Sequence, residues 1–314
     1  MNFRTEILPS SSGNRISHTS EMMLVGSCFA ESIGDKLLYF KFPVLINPFG
    51  ILFNPISISN AIRFITEKKL FTENDLVCYD GLWHSFFHHG SFSNANKDVC
   101  LEIINRSIVD AHEWLKKTKT IIITLGTAYV WEYKNGLVVS NCHKIPSNDF
   151  KQYMLSPTQV QDSLQLILDS IKKVNRQGSI VFTVSPIRYM NHGVHQSQLS
   201  KATLLLAINN IQKENPDIDY FPSYELMMDD LRDYRFYAED MIHPSAQAID
   251  YIWDKFSESY FDNETIDLNQ KIDAYQKAKA HRILNPESKS GEKFINHISA
   301  LRNNLCKTYP FLNL

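Results

Sequence analysis

Short, continuous apolar runs alternate along this chain with longer segments in which apolar residues recur every third or fourth position. The first pattern predicts strands covered on both faces, and the second predicts amphipathic helices. Four predicted strands cover 21–27, 42–50, 179–188 and 218–223, and another begins at Lys119 and ends near Gly126 and Thr127. The predicted helices cover 30–40, 157–175 and 200–215. Because helical crossovers join parallel strands, we expect an α/β fold with a mostly parallel five-stranded sheet between two helix layers.

The remaining segments define the expected domain organisation. One domain is expected over 21–260, because 314 residues with 44% hydrophobic content can bury a large core. An N-terminal extension at 1–20 precedes this domain, and a helical tail at 261–314 follows it. The stretches 51–118 and 132–156 are too long for simple connections, so we expect insertions that form a lid and pocket walls.

Composition narrows the class of partner. The formal net charge is −2 and no long Lys/Arg block occurs, so we expect no nucleic-acid partner and favour small ligands. Segment 42–62 carries no charge, but its three prolines and three asparagines predict irregular buried backbone and no membrane contact. The opening residues lack the apolar core of a secretion signal, and the five cysteines form no close CxxC pair, so a cytoplasmic protein is expected.

Polar residues follow each predicted strand, where a parallel sheet binds ligands. They are Ser27, Asn47, Gly50, Gly126, Thr127, Ser185 and Arg188. Far along the chain, Asp240 precedes His243 by three positions. A serine after the first strand and a late Asp-x-x-His are the components of a serine hydrolase, because a serine hydroxyl needs a base to take its proton.

Several blocks resemble those of a known family. Residues 26–30 read GSCFA and 240–245 read DMIHPS, with NPFGILFNP, TLGTAYVW, VSNCHKIP and SPIR between them in order. Together they resemble the GSCFA domain family, within the SGNH (GDSL-like) hydrolase superfamily, over roughly residues 20–255. The resemblance implies a flavodoxin-like three-layer α/β/α fold and ester hydrolysis.

The resemblance also implies roles for single residues. Ser27 would be the nucleophile, His243 its general base and Asp240 the group that orients the imidazole. The superfamily's Gly-Asp-Ser is shortened here to Gly-Ser. Cys28 follows at a helix N-terminus, which lowers a thiol pKa, but Ser27 matches the superfamily nucleophile, so we expect Cys28 to be a small buried residue.

The oxyanion hole would use the backbone N–H groups of Ser27 and Gly50 and a third donor. The superfamily takes that donor from the asparagine of a Gly-x-Asn block. Here the matching strand end reads Gly-Thr-Ala, with no asparagine two residues after the glycine. Thr127 and Asn141 are therefore the candidates for the third donor.

Histidines and aromatic residues offer a different chemistry. His84, His88 and His89 lie among aromatic residues, and His143 follows a cysteine. The spacing of His84 and His88 suits zinc, but no HExxH pattern occurs, so we expect no metal and interpret the aromatic residues as a sugar-stacking or core cluster. Candidates for substrate contact are Asn47, His84, His143 and Arg188. For Arg188 we favour an ion pair with an acidic residue over a contact with an anionic substrate group.

The sequence therefore predicts an esterase that acts on an acylated carbohydrate or small metabolite through an acyl-serine intermediate, without a cofactor. A catalytically inactive ligand-binding module is the alternative, because the Gly-x-Asn block is missing. A metal-dependent hydrolase that uses the four histidines is a third. The sequence predicts no oligomeric state.

Overall fold

The computed structural model describes residues 4–10, 12–312 and 314. Its strands, in chain order, are β1 (Met22–Gly26), β2 (Val44–Ile46), β3 (Val77–Tyr79), β4 (Leu82–His84), β5 (Thr120–Leu125), β6 (Tyr129–Tyr133), β7 (Val138–Val139), β8 (Phe150–Met154), β9 (Ser179–Val184) and β10 (Asp219–Phe221). Five of these strands form one parallel sheet in the order β10-β9-β5-β1-β2. The expected five-stranded sheet is confirmed, with the most continuous apolar run, β5, at its centre.

Helices cover both faces of this sheet. They are α1 (Cys28–Tyr39), α2 (Pro55–Glu67), α3 (Lys97–Leu115), α4 (Pro157–Val174), α5 (Gly193–Glu214), α6 (Ser223–Glu225), α7 (Ala246–Tyr260), α8 (Asn263–Ala280) and α9 (Lys289–Thr308). A π-helical turn at Leu226–Asp230 continues α6. Short 3-10 turns lie at Glu73–Asp75, Gly90–Phe92, Ser147–Asp149 and Tyr234–Phe236.

Alternate residues of the central strands enter two separate cores. Met23 and Val25 of β1 pack with apolar residues of α2, α3, α4 and α5. Met22 and Leu24 pack on the opposite face with α1 and α7. Because successive side chains of a strand point to opposite faces, a continuous apolar run is what a sheet between two helix layers requires. The predicted α/β/α fold class is confirmed.

Two smaller antiparallel sheets were not predicted. One is the hairpin β3-β4, and the other has the order β7-β6-β8. The prediction that the strand from Lys119 ends near Gly126 and Thr127 is confirmed, since β5 ends at Leu125 and Tyr129–Tyr133 belong to β6 of the second sheet. The chain leaves the main sheet where the N–H groups of Gly126 and Thr127 both donate to the Phe53 carbonyl, at 2.8 and 3.0 Å.

The segments outside the sheet differ in what they contribute. The stretch 51–118 holds α2 and α3, whose apolar faces belong to the core, and 132–156 holds β7 and β8. Near the N-terminus, Ile16 pairs with Phe261 after α7. Helices α8 and α9 pack on each other around Leu268, Ile272 and Leu305. Among the described residues, no helix combines the length and apolar character needed to cross a membrane.

Candidate active site

The turn after β1 is built around a glycine that no other residue could replace. Gly26 has φ +146°, and a Cβ on it would lie 2.1 Å from the carbonyl oxygen of Thr124 in β5. Its N–H donates to Asn47 Oδ1 at 2.9 Å, so Asn47 fixes this turn. The backbone of β1 thus passes against β5 and then turns directly into α1.

Ser27 is the N-cap of α1, and its polar groups serve the fold. Its side chain accepts a hydrogen bond from the N–H of Phe29 at 3.3 Å. Its own N–H donates to the Thr124 carbonyl at 3.1 Å, and Ser27 is only 1% exposed. Among the described residues, no hydrogen bond joins Ser27 to His243. The predicted contact between these two residues, and the predicted oxyanion role of the Ser27 N–H, are therefore corrected.

Cys28 takes the position predicted for the serine. As the first residue of α1, it places Sγ 3.7 Å from His243 Nε2, at hydrogen-bonding distance for sulfur. Cys28 also stands two residues after Gly26, which is the separation of glycine and serine in Gly-Asp-Ser. The prediction that Cys28 is only a small buried residue is corrected, because its side chain is half-buried and lines the cleft together with Ser27.

The loop before α7 joins Asp240 to His243 without help from other elements. Asp240 Oδ2 lies 2.6 Å from His243 Nδ1, and Oδ1 accepts the N–H groups of Ile242 and His243, each at 2.9 Å. Hydrogen bonds from the His243 N–H, the Ile242 N–H and the imidazole lower the pKa of Asp240 to about 2. The carboxylate accepts hydrogen bonds only, so Nδ1 donates to it and Nε2 is left as the acceptor toward Cys28.

A buried lysine lies beneath this site and was missed from the sequence. Lys201 is 2% exposed, and its ammonium donates to the carbonyls of Gly126 and Ser185 at 2.7 and 2.6 Å. Burial lowers the pKa of Lys201 to about 7. Among the described residues, no carboxylate forms an ion pair with it. In the sequence, Lys201 lies in a predicted amphipathic helix, where a lysine is expected on the solvent-facing side. The sequence therefore gives no signal that this lysine is buried.

Opposing effects act on the Cys28 thiol. Burial is the largest, and it raises the pKa of Cys28. The N–H groups of Cys28 and Phe29 at the start of α1, together with the positive charge of Lys201, oppose that shift. The arrangement favours a thiol that loses its proton to His243 during reaction, since the resting thiolate is disfavoured by burial.

A cleft of about 300 Å³ opens beside Cys28 and His243. One wall comes from β6, β7 and β8, and another comes from the loop between β9 and α5. Gly126, Thr127 and Ser185 form part of its lining at the ends of β5 and β9. The carboxyl edge of the sheet therefore carries the cleft, as the strand-end polar residues predict.

The other predicted oxyanion donors are engaged or displaced. The Gly50 N–H donates to the Asn47 carbonyl at 2.7 Å. The Thr127 hydroxyl accepts the Tyr129 N–H at 3.1 Å and lies 3.0 Å from Ser200 Oγ. Asn141 accepts the His143 N–H at 2.8 Å and is not part of the cleft lining. These three predicted roles are corrected, because the Gly50 N–H and the Thr127 hydroxyl are engaged by other groups and Asn141 lies outside the cleft.

Asn54 provides a donor that sequence reasoning missed. As N-cap of α2, its Oδ1 accepts the N–H of Ser57 at 2.9 Å. Its Nδ2 has no hydrogen-bond partner among the described residues, and Asn54 lines the cleft with Cys28 and Gly126. Its position before Pro55 is typical of a helix cap, so the sequence marks only the first of its two functions.

Only one of the four residues predicted to contact substrate lines the cleft. Arg188 lines the cleft, where its Nη2 is enclosed without a hydrogen-bond partner, and it forms no ion pair among the described residues. Asn47, His84 and His143 do not line it. Asn47 holds Gly26, and His143 Nε2 lies 2.8 Å from the Ser85 carbonyl oxygen.

The histidine cluster is internal. His84 Nδ1 lies 2.6 Å from Ser93 Oγ, and its ring stacks on His143 with centroids 4.4 Å apart. His88 stacks on Phe49 at 4.2 Å, and burial lowers its pKa to about 3. His89 Nδ1 lies 3.1 Å from Ser91 Oγ.

Within the described part of the chain, no group of histidine, cysteine and carboxylate side chains could hold a metal ion. The aromatic residues near these histidines pack in or on the apolar core, as Trp83, Phe87 and Phe92 do, and none lines the cleft. The core interpretation of this cluster therefore holds, and the sugar-stacking alternative is wrong.

Known proteins resemble most of this chain in structure and in sequence profile. A search of curated proteins finds no match. A carbohydrate esterase of family 3 from Talaromyces cellulolyticus is similar in structure at 9% identity and a TM-score of 0.38, covering 80% of this chain and 99% of its own. An acetyl xylan esterase from the rumen bacterium Butyrivibrio proteoclasticus has 10% identity and a TM-score of 0.38, covering 76% of this chain and 64% of its own. A sequence profile described as the GSCFA family matches residues 21–256, so this chain belongs to the GSCFA family.

Proposed function

We propose that this chain is a hydrolase of small-molecule acyl esters in which Cys28 is the nucleophile. The observation that carries the proposal is the continuous chain of contacts from Cys28 Sγ through His243 Nε2 and Nδ1 to Asp240 Oδ2. A nucleophile, a base and a group that orients the base are the geometric signature of covalent acyl transfer. The prediction of an acyl-serine intermediate is replaced by an acyl-cysteine one.

The proposed reaction proceeds in two halves. His243 Nε2 takes the thiol proton while Sγ bonds to the ester carbonyl carbon, and the carbonyl electrons move onto oxygen. When they return, the bond to the alcohol oxygen breaks and His243 gives that oxygen its proton. Water, deprotonated by His243, then attacks the thioester, and Cys28 leaves with a proton as the carboxylic acid forms.

Two donors are available for the negative oxygen. The Cys28 N–H lies at the first turn of α1, where a helix leaves its N–H groups without internal partners. Asn54 Nδ2 provides the second, and its cap bond to Ser57 fixes the amide so that this nitrogen is free for the cleft. Donors that are held in place before the reaction stabilise charge without reorganisation.

The proposal is tested with p-nitrophenyl acetate and butyrate on the full chain. We expect Cys28→Ala and His243→Ala to lose about 1000-fold or more in kcat/KM, since each removes a member of the reacting unit. Cys142→Ala is the matched control, because Cys142 is also half-buried but lies outside the cleft. Rapid acid quench and mass spectrometry should find the acyl group on the peptide containing Cys28.

Two outcomes would overturn the assignment. Full turnover in Cys28→Ala would exclude the cysteine mechanism. A wild-type protein that hydrolyses neither ester, while its Cys28 reacts normally with iodoacetamide, would favour the ligand-binding module instead. The alcohol and its carbohydrate or metabolite identity belong to a substrate screen that follows these measurements.

A further inference from the structure

The cavity beside Cys28 is larger than the reacting group of an acetyl ester requires. It measures about 300 Å³, which is room for about ten water-sized groups. Its lining is dominated by apolar and aromatic side chains, namely Phe53, Tyr129, Trp131, Val139, Ile187 and Met190. An apolar cavity of this kind gains affinity from each apolar group that replaces water within it.

On the wall formed by β6 and β8, the polar ends of Tyr129 and Gln152 are satisfied by neighbouring side chains, whereas Arg188 and Ser140 elsewhere in the lining keep unpartnered polar atoms. The Tyr129 hydroxyl donates to Gln196 Oε1 at 3.0 Å, and its ring stacks on His192 at 4.4 Å. Gln152 donates to the Tyr189 hydroxyl at 3.0 Å, while its Oε1 lies 2.7 Å from His192 Nε2. This wall therefore presents ring faces and few free hydrogen-bonding groups, which disfavours a ligand rich in hydroxyls.

The charges at the cleft disfavour a cationic acyl group. His243 and Arg188 are basic, and no carboxylate lies among the described residues that line the cleft. A positively charged acyl group would find no partner there and would be disfavoured by Arg188. Arg188 Nη2 offers a partner to a negatively charged group, whereas Trp131, Val139 and Met190 offer apolar surface to an uncharged hydrocarbon chain.

We infer that this site is selective for acyl groups with an apolar chain of about four to eight carbons, held against Trp131, Val139 and Met190. The inference rests on the proposed function and specifies its acyl substrate class. Acetyl leaves most of the cavity to water, whereas butanoyl to octanoyl chains displace that water. Each buried methylene should raise kcat/KM up to about fourfold until the cavity is filled.

The first measurement is kcat/KM for p-nitrophenyl acetate, butyrate, hexanoate and octanoate, below the concentrations at which the longer esters aggregate. We expect a rise from acetate to hexanoate. Met190→Trp narrows the cavity and should move the optimum back toward acetate. Leu166→Trp, on the exposed face of α4, is the matched control and should keep the wild-type profile. A profile with acetate as the best substrate would overturn the inference.

A second measurement does not depend on ester hydrolysis. N-alkylmaleimides with ethyl, butyl and octyl chains alkylate thiols, and labelling of each cysteine is followed by peptide mass spectrometry. Cys28 should react faster as the chain lengthens, whereas exposed Cys78 on β3 provides an internal reference with no cavity. Equal chain-length dependence at both cysteines would contradict the apolar pocket. If no ester is hydrolysed but the maleimide preference is present, the proposed function fails and the pocket inference stands.

Discussion

At the scale of single residues, the site depends on two adjacent side chains at the start of α1. One of them caps the helix, and the other contacts His243. Ser27 and Cys28 are both nucleophilic types, and residue type alone does not separate them, although the spacing from Gly26 matches Cys28 to the serine of Gly-Asp-Ser. Gly26 forces β1 against β5, and Ser27 then caps the helix through Phe29. The next side chain, Cys28, therefore enters the cleft. The family motif marks this turn in the sequence, and in the proposed function the reacting residue is the one after Ser27.

Ser27→Ala separates the two roles. We expect the variant to keep most of its Cys28-dependent hydrolysis, while losing about 1 kcal/mol in the free energy of unfolding because the cap bond to Phe29 is removed. Urea unfolding and p-nitrophenyl butyrate turnover measure the two effects. Ser288→Ala, which removes the exposed cap of α9, should cost a similar amount of stability and leave turnover unchanged. Loss of hydrolysis comparable to Cys28→Ala would instead restore Ser27 as the nucleophile.

Lys201→Met should change the ionisation of Cys28. The ammonium opposes the burial that raises the pKa of the thiol, so its removal should raise that pKa further. Because the pKa of Lys201 is about 7, labelling by iodoacetamide should slow at and below neutral pH and approach the wild-type rate at higher pH, whereas Lys201→Arg should not slow at neutral pH. Lys255→Met is the matched control, since Lys255 is also buried but pairs with Glu6 and Glu258. An unchanged profile in a folded Lys201→Met protein would contradict the electrostatic contact.

At the scale of elements, hydrophobic pattern predicts what fills the layers but not which sheet the next strand joins. The main strands and the helices α1, α4 and α5 were predicted because their apolar periods match their burial. The apolar pattern ends the central strand near Gly126 and Thr127, but it cannot show that Tyr129–Tyr133 belong to another sheet. That break depends on the Phe53 carbonyl, which is distant in sequence and accepts two N–H groups. These two hydrogen bonds lie where the chain leaves the main sheet for β6, which forms part of the cleft wall.

The N-terminus of α2 gives the sharpest test at this scale. Asn54→Ser keeps an oxygen that can accept the Ser57 N–H but removes the amide donor from the cleft. We expect kcat for p-nitrophenyl butyrate to fall about 100-fold with little change in KM or unfolding midpoint, because the lost interaction is made mainly in the transition state. Asn96→Ser, at the cap of α3, controls for the effect of the substitution itself. Equal kcat in wild type and Asn54→Ser would exclude Asn54 as an oxyanion donor.

At the scale of the whole molecule, three of the buried histidines among the described residues have lowered pKa values. His88 stacks on Phe49, His143 lies 2.8 Å from the Ser85 carbonyl oxygen, and His18 stacks on Phe42 near the N-terminal segment, with ring centroids 4.1 Å apart. Burial is the largest effect on each, and it lowers the pKa of His88 to about 3 and those of His18 and His143 to about 4. The sequence could not predict this, because each histidine becomes internal only through contacts that are distant along the chain.

These histidines predict that stability is lost as pH falls below about 6.5, which is the usual pKa of a histidine in an unfolded chain. Between that pH and about 4, the unfolded chain binds protons that the folded protein does not. Their full contribution is present above about pH 6.5, and the free energy of unfolding should fall by at most about 4 kcal/mol per pH unit below it. Urea unfolding from about pH 7.5 to about pH 4.5 measures this slope. His88→Gln should reduce this slope by the contribution of one titrating group, whereas His281→Gln, at an exposed position, should leave the slope unchanged. Equal slopes in the wild type and both variants would contradict the role of the buried histidines.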